Sequence, residues 1–313
     1  MMMSDKGNIS ILMGTYNGEK YLESQLQSIA SQTYKNWTLI VSDDGSTDRT
    51  CEMIEAFAKQ CTENKVVLLK GPAQGFAANF LYLLRNPSIV SDYYAFCDQD
   101  DIWCDDKLEV AIEKLSSHPA PENQLQLYGS RTSLVNSEGE FIGMSPCFEK
   151  AFNFQNALLQ SYAGGNTMVF NRALKEVFEG FPPNITIVSH DWILYIICSA
   201  MNGVVIYDKE PRILYRQHGQ NLVGSNIGFL SKVTRFRRLF AGEFKSWCAI
   251  NCVALDLIKS EMPVDNKERY LHFLNLNDNF LKRIRSYFLG GFYRQSFLET
   301  CAFFVMNLFR KLV

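Results

Sequence analysis

The sequence predicts an α/β protein: a largely parallel sheet flanked by helices, with a helical extension at its C-terminal end. Three observations lead there. Short apolar runs alternate with helix-patterned segments through the first half. Polar clusters follow successive strands at their carboxyl ends, where open α/β sheets gather ligand sites. Charge is also divided along the 313 residues: residues 1–227 carry 17 Lys/Arg against 26 Asp/Glu, and residues 228–313 carry 14 against 7. With 47% hydrophobic and 20% charged residues, the bulk of the chain is globular rather than disordered.

The elements follow in order. Ile9–Met13 reads as a first strand ending at Gly14-Thr15-Tyr16-Asn17-Gly18, and Tyr21, Leu22, Leu26 and Ile29 recur at helical spacing. Trp37–Val41 is a second strand closed by Ser42-Asp43-Asp44-Gly45-Ser46-Thr47-Asp48, with Thr47 or Ser46 placed to cap the helix through Ile54 and Phe57. Val66–Leu69 is a strand, Phe76–Leu84 a helix, and Tyr93–Cys97 a strand ending in Asp98-Gln99-Asp100-Asp101; a helix through Val110, Ile112 and Leu115 follows. After Pro119 the pattern changes. Leu125–Tyr128, Phe141-Ile142, Thr167–Phe170, Val204–Tyr207 and Ile213–Arg216 read as strands, and Ser137-Glu138-Gly139-Glu140 as a hairpin turn. His190-Asp191 opens an apolar helix, and the chain from Gly228 reads as helical, aromatic and basic. The expected organisation is one α/β domain over residues 1–227, divided into halves at 1–119 and 120–227, with an extension over 228–313.

Asp98-Gln99-Asp100-Asp101 is the sharpest chemical signal. Carboxylates this close repel one another unless positive charge lies among them. Hard oxygen ligands suit Mg²⁺ or Mn²⁺, which complete their shells with phosphate oxygens and water, so the cluster predicts a metal-bound diphosphate. The chain has no GxxxxGK[ST] loop, and its first loop is not GxGxxG. Asp43-Asp44, one strand earlier, could accept from a nucleobase N–H or a ribose hydroxyl, and Thr15 and Glu19 could reach the same nucleoside.

Ile11–Leu22, Ser31-Gln32-Thr33-Tyr34, Val41–Asp48 and Asp98-Gln99-Asp100-Asp101-Ile102-Trp103, in this order and spacing, resemble family 2 glycosyltransferases of the GT-A fold over roughly residues 8–220. The resemblance implies a nucleotide-sugar site containing Thr15, Tyr16, Asn17, Glu19, Asp43, Asp44 and Asp98. It makes Asp100 the direct ligand of a divalent metal, Mn²⁺ or Mg²⁺. Tyr215-Arg216-Gln217-His218 resembles a segment in which His and Arg face the diphosphate, which makes His218 a second candidate ligand. Gly164-Gly165-Asn166 resembles the small-residue loop beneath the acceptor sugar. Ser189-His190-Asp191-Trp192 resembles the motif holding the catalytic base, with Asp191 as the base and His190 and Trp192 beside the acceptor. Two positions depart from the family: Asp105 stands where Pro is frequent, and His190 where an acid is.

The implied reaction is inverting transfer of a hexose from a nucleoside-diphosphate sugar to a saccharide or lipid-linked saccharide. The motif forms resemble the branch of bacterial rhamnosyltransferases, which points to dTDP-rhamnose and to surface polysaccharide synthesis such as O-antigen or capsule. The alternative within the fold is a UDP-glucose or UDP-galactose transferase. A more distant alternative is a haloacid-dehalogenase-type phosphatase with Asp98 as nucleophile. Nothing points to nucleic acid. The nine cysteines form no CxxC pair and read as buried, reduced thiols. Met1–Ser10 has no secretory apolar core, and no run approaches the roughly 18–20 apolar residues of a membrane span. A cytoplasmic enzyme is expected, peripheral at the inner membrane face. The extension mixes Phe229, Leu230, Val233, Phe236, Leu239 and Phe240 with Lys232, Arg235, Arg237 and Arg238, a composition suited to an anionic bilayer surface.

Overall fold

The computed structural model describes residues 7–61, 65–118, 121, 123–219 and 242–313. In chain order the strands are β1 (Ile9–Thr15), β2 (Trp37–Asp43), β3 (Lys65–Lys70), β4 (Tyr93–Cys97), β5 (Ile102–Trp103), β6 (Gln126–Ser130), β7 (Ser133–Val135), β8 (Phe141–Met144), β9 (Val169–Asn171), β10 (Val204–Asp208) and β11 (Ile213–Arg216). The helices are α1 (Leu22–Ala30), α2 (Thr50–Gln60), α3 (Phe76–Arg85), α4 (Lys107–Ser116), α5 (Phe154–Ala157), α6 (Arg172–Glu179), α7 (His190–Ala200), α8 (Glu243–Ile258), α9 (Val264–Leu274), α10 (Phe280–Gly290) and α11 (Phe297–Leu308).

The described residues fall into two compact units that interleave along the chain instead of meeting at one boundary near residue 227. The first draws on Met1–Cys147, Ala163–Pro182 and Val204–Gly224, the second on Phe148–Tyr162, Pro183–Gly203 and Ser225–Val313.

The first unit holds a seven-stranded sheet in the order β10-β6-β9-β4-β1-β2-β3. β1 pairs in parallel with both β2 and β4, while β9 runs antiparallel between β4 and β6. The chain steps outward from β1 through β2 to β3 and then returns to the other side of β1 as β4. That reversal opens a crevice beyond the carboxyl ends of β1 and β4. Helices cover both faces of such a sheet, so its central strands are apolar on both sides. Ile9, Ile11, Met13, Leu39, Val41, Ala95 and Cys97 accordingly belong to one buried cluster with Leu26 and Ile29 of α1 and Leu108, Ala111 and Ile112 of α4. A second sheet in the order β5-β11-β7-β8 continues from the crevice. Its β7–β8 hairpin turns through Gly139 at φ 89°, and Asn136 Oδ1 accepts from the Glu138 and Glu140 N–H groups.

Some local expectations are corrected. Asp48, not Thr47 or Ser46, accepts from the Thr50 N–H and hydroxyl at the start of α2. Cys97, Cys198 and Cys248 are buried thiols, but Cys147 and Cys301 are exposed.

In the second unit, α7 is buried from Trp192 to Ala200 and therefore apolar all round. Asn266 of α9 donates to the Ser199 and Ala200 carbonyls at its end. α10 and α11 pack together through Tyr287, Phe288 and Phe304. Their outer faces leave Leu281, Phe288, Leu289, Phe297 and Leu298 more than half exposed. No described helix is long and apolar enough to cross a membrane. The amphipathic stretch from Phe229 to Phe240 lies outside the described residues.

Candidate active site

The loops after β1, β2 and β4 converge on the crevice, and most of their polar groups serve first to hold one another. Asn17, at φ 47°, donates its N–H to Ser46 Oγ at 2.8 Å, and its side-chain oxygen accepts from the Thr47 N–H at 2.8 Å. Gly18 N–H donates to Thr50 Oγ1 at 2.8 Å, and Glu19 accepts the Arg49 N–H at 3.1 Å. Asp43 accepts four hydrogen bonds: from the Thr15 and Ser46 hydroxyls at 2.9 and 2.5 Å, and from the Gly45 and Ser46 N–H groups at 3.1 and 2.8 Å. Burial opposes its ionisation, but those bonds outweigh burial and set its pKa below the usual carboxylate value. Thr15, Asn17 and Asp43 were expected to touch the nucleoside. All three help build the loops, and Thr15 and Asp43 are almost fully buried.

Asp44 is fixed differently. Each of its oxygens accepts one backbone N–H, from Ala73 and Gly75, both at 2.7 Å. A carboxylate held this way keeps further lone pairs for a ligand donor. Tyr16, in the loop after β1, is 59% exposed.

The acidic turn after β4 divides its work among four residues. Gln99 clamps the first loop: its Oε1 accepts the Tyr16 N–H at 2.8 Å and its Nε2 donates to the Tyr16 carbonyl at 3.0 Å. A side chain at Gly18 would begin 2.4 Å from Gln99 Oε1, which explains the glycine there. Asp98 is partly buried at the head of the turn. Asp100 Oδ2 lies 2.8 Å from His218 Nε2, so the two candidate metal ligands meet. Asp101 is fully buried and accepts Asn166 Nδ2 at 2.5 Å and the Arg216 N–H at 3.2 Å. Burial first, then the charges of Asp100 and Asp98, push its pKa well up, against the pull of those two bonds.

Arg216 completes the frame. Its Nε donates to the Asp100 carbonyl at 3.1 Å and its Nη1 to the Ser137 carbonyl at 2.9 Å. Tyr21 packs against both partners of this corner, 4.8 Å from the His218 ring and 4.8 Å from the Arg216 guanidinium. Gln32, inside the Ser-Gln-Thr-Tyr segment, donates to the Cys104 carbonyl at 2.8 Å and accepts the Leu108 N–H at 3.1 Å. Gln32, Gln99, Asp101 and Tyr21 escape sequence reasoning, because each acts on a partner far away in the chain.

Divalent cation chemistry fits the Asp100–His218 corner. Adjacent oxygen or nitrogen ligands of an octahedral Mg²⁺, each about 2.1 Å from the ion, lie about 3 Å apart. Among the described residues no group of three His, Cys, Asp or Glu side chains forms a closed metal site. The pair would therefore hold an ion whose remaining positions go to water and phosphate, as Mg²⁺ sites usually do.

The glycine loop has an internal reason for its composition. A Cβ on Gly164 would lie 2.7 Å from Asn166 Oδ1, and the Gly164 carbonyl accepts from the Thr167 N–H and hydroxyl at 3.0 and 2.8 Å. Gly165 is buried in the 3-10 turn Gly165–Thr167. Asn166, expected beside the acceptor, is buried and bonded to Asp101.

In the second unit, Ser189 occupies the N-cap of α7, so Asp191 sits in the first turn rather than at the cap. A carboxylate there is favoured by the helix dipole. His190 is buried, and burial lowers its pKa to about 4 even though Asp191 pulls it upward. It is a buried, uncharged ring. Trp192 Nε1 donates to the Ala157 carbonyl at 2.7 Å, and its ring packs on Phe244 and Trp247.

Comparison with known proteins identifies the family. The family model described as glycosyl transferase family 2 matches residues 10–178. The dTDP-rhamnosyl transferase RfbG of Shigella flexneri is 33% identical over 236 residues, covering 71% of this chain and 77% of that protein. The UDP-Glc:alpha-D-GlcNAc-diphosphoundecaprenol beta-1,3-glucosyltransferase WfgD of Escherichia coli is 30% identical over 177 residues, covering 56% of this chain and 64% of that one. Among solved structures, S. aureus TarS in complex with UDP superposes with a TM-score of 0.55 at 18% identity, covering 86% of this chain and 71% of that chain. At that identity the likeness concerns the fold.

Proposed function

The chain belongs to glycosyl transferase family 2 and is a hexosyltransferase, and from that premise we propose that it transfers rhamnose from dTDP-rhamnose, with inversion, to a saccharide or lipid-linked saccharide of a bacterial surface polysaccharide. The observation that carries the reading is the Asp100–His218 pair, 2.8 Å apart beyond β4, where the sheet order reverses. The similarity to a rhamnosyl transferase over most of both chains supports the donor. A UDP-glucose donor is the second reading, supported by the similarity to the glucosyltransferase. The phosphatase alternative explains neither the laced loops after β1 and β2 nor the position of the acidic turn after the fourth strand.

In this reading Tyr16 offers its exposed ring to the nucleobase, and Asp44 accepts from a base N–H. Asp98 takes the ribose side of the diphosphate, and Asp100 with His218 takes the metal side. A divalent cation held there would offset charge on the departing nucleoside diphosphate and make it a better leaving group. Arg216 and Gln99 keep the turn in place through their bonds to the Asp100 and Tyr16 backbones. Asp191 serves as the general base, a role carried over from the resemblance at the start of α7. It takes the acceptor hydroxyl proton as that oxygen forms its bond to the anomeric carbon, while the bond to the diphosphate oxygen breaks on the opposite face.

The acceptor's lipid would be met at a membrane surface. On α10, Leu281, Lys282, Arg285, Phe288 and Leu289 share the outer face, and on α11 Phe297, Leu298, Cys301 and Val305 share theirs. Apolar side chains with nearby Lys and Arg suit an anionic leaflet, where each basic residue contributes about 1 kcal/mol. The enzyme would then work peripherally at the inner face of the cell membrane. A panel of dTDP-rhamnose, UDP-glucose, UDP-galactose and UDP-GlcNAc, scored for Mn²⁺-dependent binding and slow hydrolysis, tests the donor. Preference for dTDP-rhamnose supports the first reading, and preference for UDP-glucose replaces it with the second.

A further inference from the structure

One aromatic ring joins the start of α1 to the end of β11. Tyr21 is the N-cap residue of α1, and its N–H donates to the Gly18 carbonyl at 3.1 Å, so its backbone is fixed by the loop after β1. Its ring centroid lies 4.8 Å from that of His218, with the two planes 31° apart. The Arg216 guanidinium and the Lys20 ammonium each stand 4.8 Å from the same centroid. The phenol oxygen is buried and has no hydrogen-bond partner among the described residues. A buried hydroxyl without a partner costs stability, so what suits Tyr21 to this place is the flat face of its ring. His218 is a side chain such a face can orient. It stands two residues beyond the last residue of β11, and its Nε2 lies 2.8 Å from Asp100 Oδ2. That contact fixes one atom of the imidazole, whereas the torsion that turns the ring is soft.

We propose that Tyr21 is a positioning residue for the divalent-metal corner, acting through His218: its ring face sets the imidazole so that Nε2 stays beside Asp100. The inference rests on the metal-dependent reading given above and assigns Tyr21 no contact with the ion. Groups that orient metal ligands from behind typically change metal affinity about 10- to 100-fold when removed.

The test compares wild type, Tyr21→Phe, Tyr21→Met, His218→Ala and the variant carrying both Tyr21→Met and His218→Ala. Each is measured for Mn²⁺ affinity, by calorimetry with Mn²⁺ alone, and for melting temperature. Tyr21→Phe keeps the ring, and is expected to bind Mn²⁺ within about twofold of wild type and to melt at or above it. Tyr21→Met keeps apolar bulk without a ring face, and is expected to bind Mn²⁺ about 10- to 100-fold more weakly. His218→Ala should weaken binding at least as much, and adding Tyr21→Met to it should weaken binding no further. The alternatives give other patterns. A ring that only packs predicts a lower melting temperature for Tyr21→Met with Mn²⁺ affinity unchanged. A hydroxyl that serves the ion predicts equal losses in Tyr21→Phe and Tyr21→Met. Additive losses in the double variant mean that the ring acts by a route other than His218. Any of these results overturns the proposal, as does a Tyr21→Met protein that does not fold. A wild type that binds no Mn²⁺ would overturn the metal reading and this proposal together. Sugar transfer is not read, so a wild type that binds Mn²⁺ but uses none of the donors would overturn the donor assignment and leave this test standing.

Discussion

Gly18→Ala should cripple the donor loop through one identifiable clash. The new Cβ would lie 2.4 Å from Gln99 Oε1 and 2.6 Å from its Cδ, so the amide must retreat by about 1 Å to reach ordinary contact. Gln99 is a flexible side chain, but its amide end is held by two hydrogen bonds to Tyr16, at 2.8 and 3.0 Å. Retreat breaks both. At about 0.5–1.5 kcal/mol each, the loss is about 1–3 kcal/mol of preference for the observed loop. If the loop must recover that shape to bind nucleotide, affinity falls by about 5- to 150-fold. Gln99→Ala removes the same two bonds and should cost about as much. It also removes the atoms that the added methyl group would strike. The double variant should therefore match Gln99→Ala to within about 0.5 kcal/mol, leaving a coupling energy of about 1–3 kcal/mol. Calorimetric titration of dTDP or UDP into the four proteins completes the cycle. Additive effects would refute the reasoning, because they would mean that Gly18 is required for something other than room for Gln99.

Asp100→Ala should abolish transfer and remove the Mn²⁺ dependence of nucleotide binding, and a variant with wild-type activity would sink the metal assignment. Asp191→Asn should lose on the order of 10²–10⁴ in turnover with nucleotide affinity near wild type; a parallel collapse of affinity would place Asp191 at the donor instead. His190 should make the protein acid-sensitive. Its pKa is about 4 in the fold against 6.5 as a free side chain, so on acidification the unfolded state takes the proton first. Stability is whole above about pH 6.5 and drains away down to about pH 4, by roughly 3 kcal/mol in total. Denaturant melts of His190→Gln should lack that slope, and an unchanged slope would show that another group causes it. The full chain should float with anionic vesicles, less so at high salt, whereas Leu281→Glu with Phe288→Glu should sediment; equal flotation would exclude the α10 face as the contact.

The sheet was legible because parallel central strands are continuous apolar runs: β1, β2 and β4 stand where Ile9–Met13, Trp37–Val41 and Tyr93–Cys97 announce them. β5 and β7, two and three residues long, carry no periodicity to detect. The location of the site was legible from three polar clusters at strand ends, and the meeting of Asp100 with His218 was foreshadowed by the resemblance alone. The assignment of individual roles was less so. Asp43 and Asn17 carry the functional groups of ligand contacts, but a carboxylate with four donors around it is already satisfied. Gln99 and Asp101 were overlooked for the converse reason: their partners Tyr16 and Asn166 are 83 and 65 residues away, a proximity that only the folded chain creates. Nor does the sequence show that Trp192 Nε1 bonds to Ala157 inside a cluster of rings.

The central claim is that one base activates the acceptor while the nucleoside diphosphate leaves from the opposite face. NMR of the first-formed glycoside, set against the anomeric configuration of the sugar in the donor consumed, addresses it directly. The account predicts the opposite configuration at the anomeric carbon, formed only when a divalent cation is present. A product that keeps the donor's configuration, or full turnover in excess chelator, would contradict it.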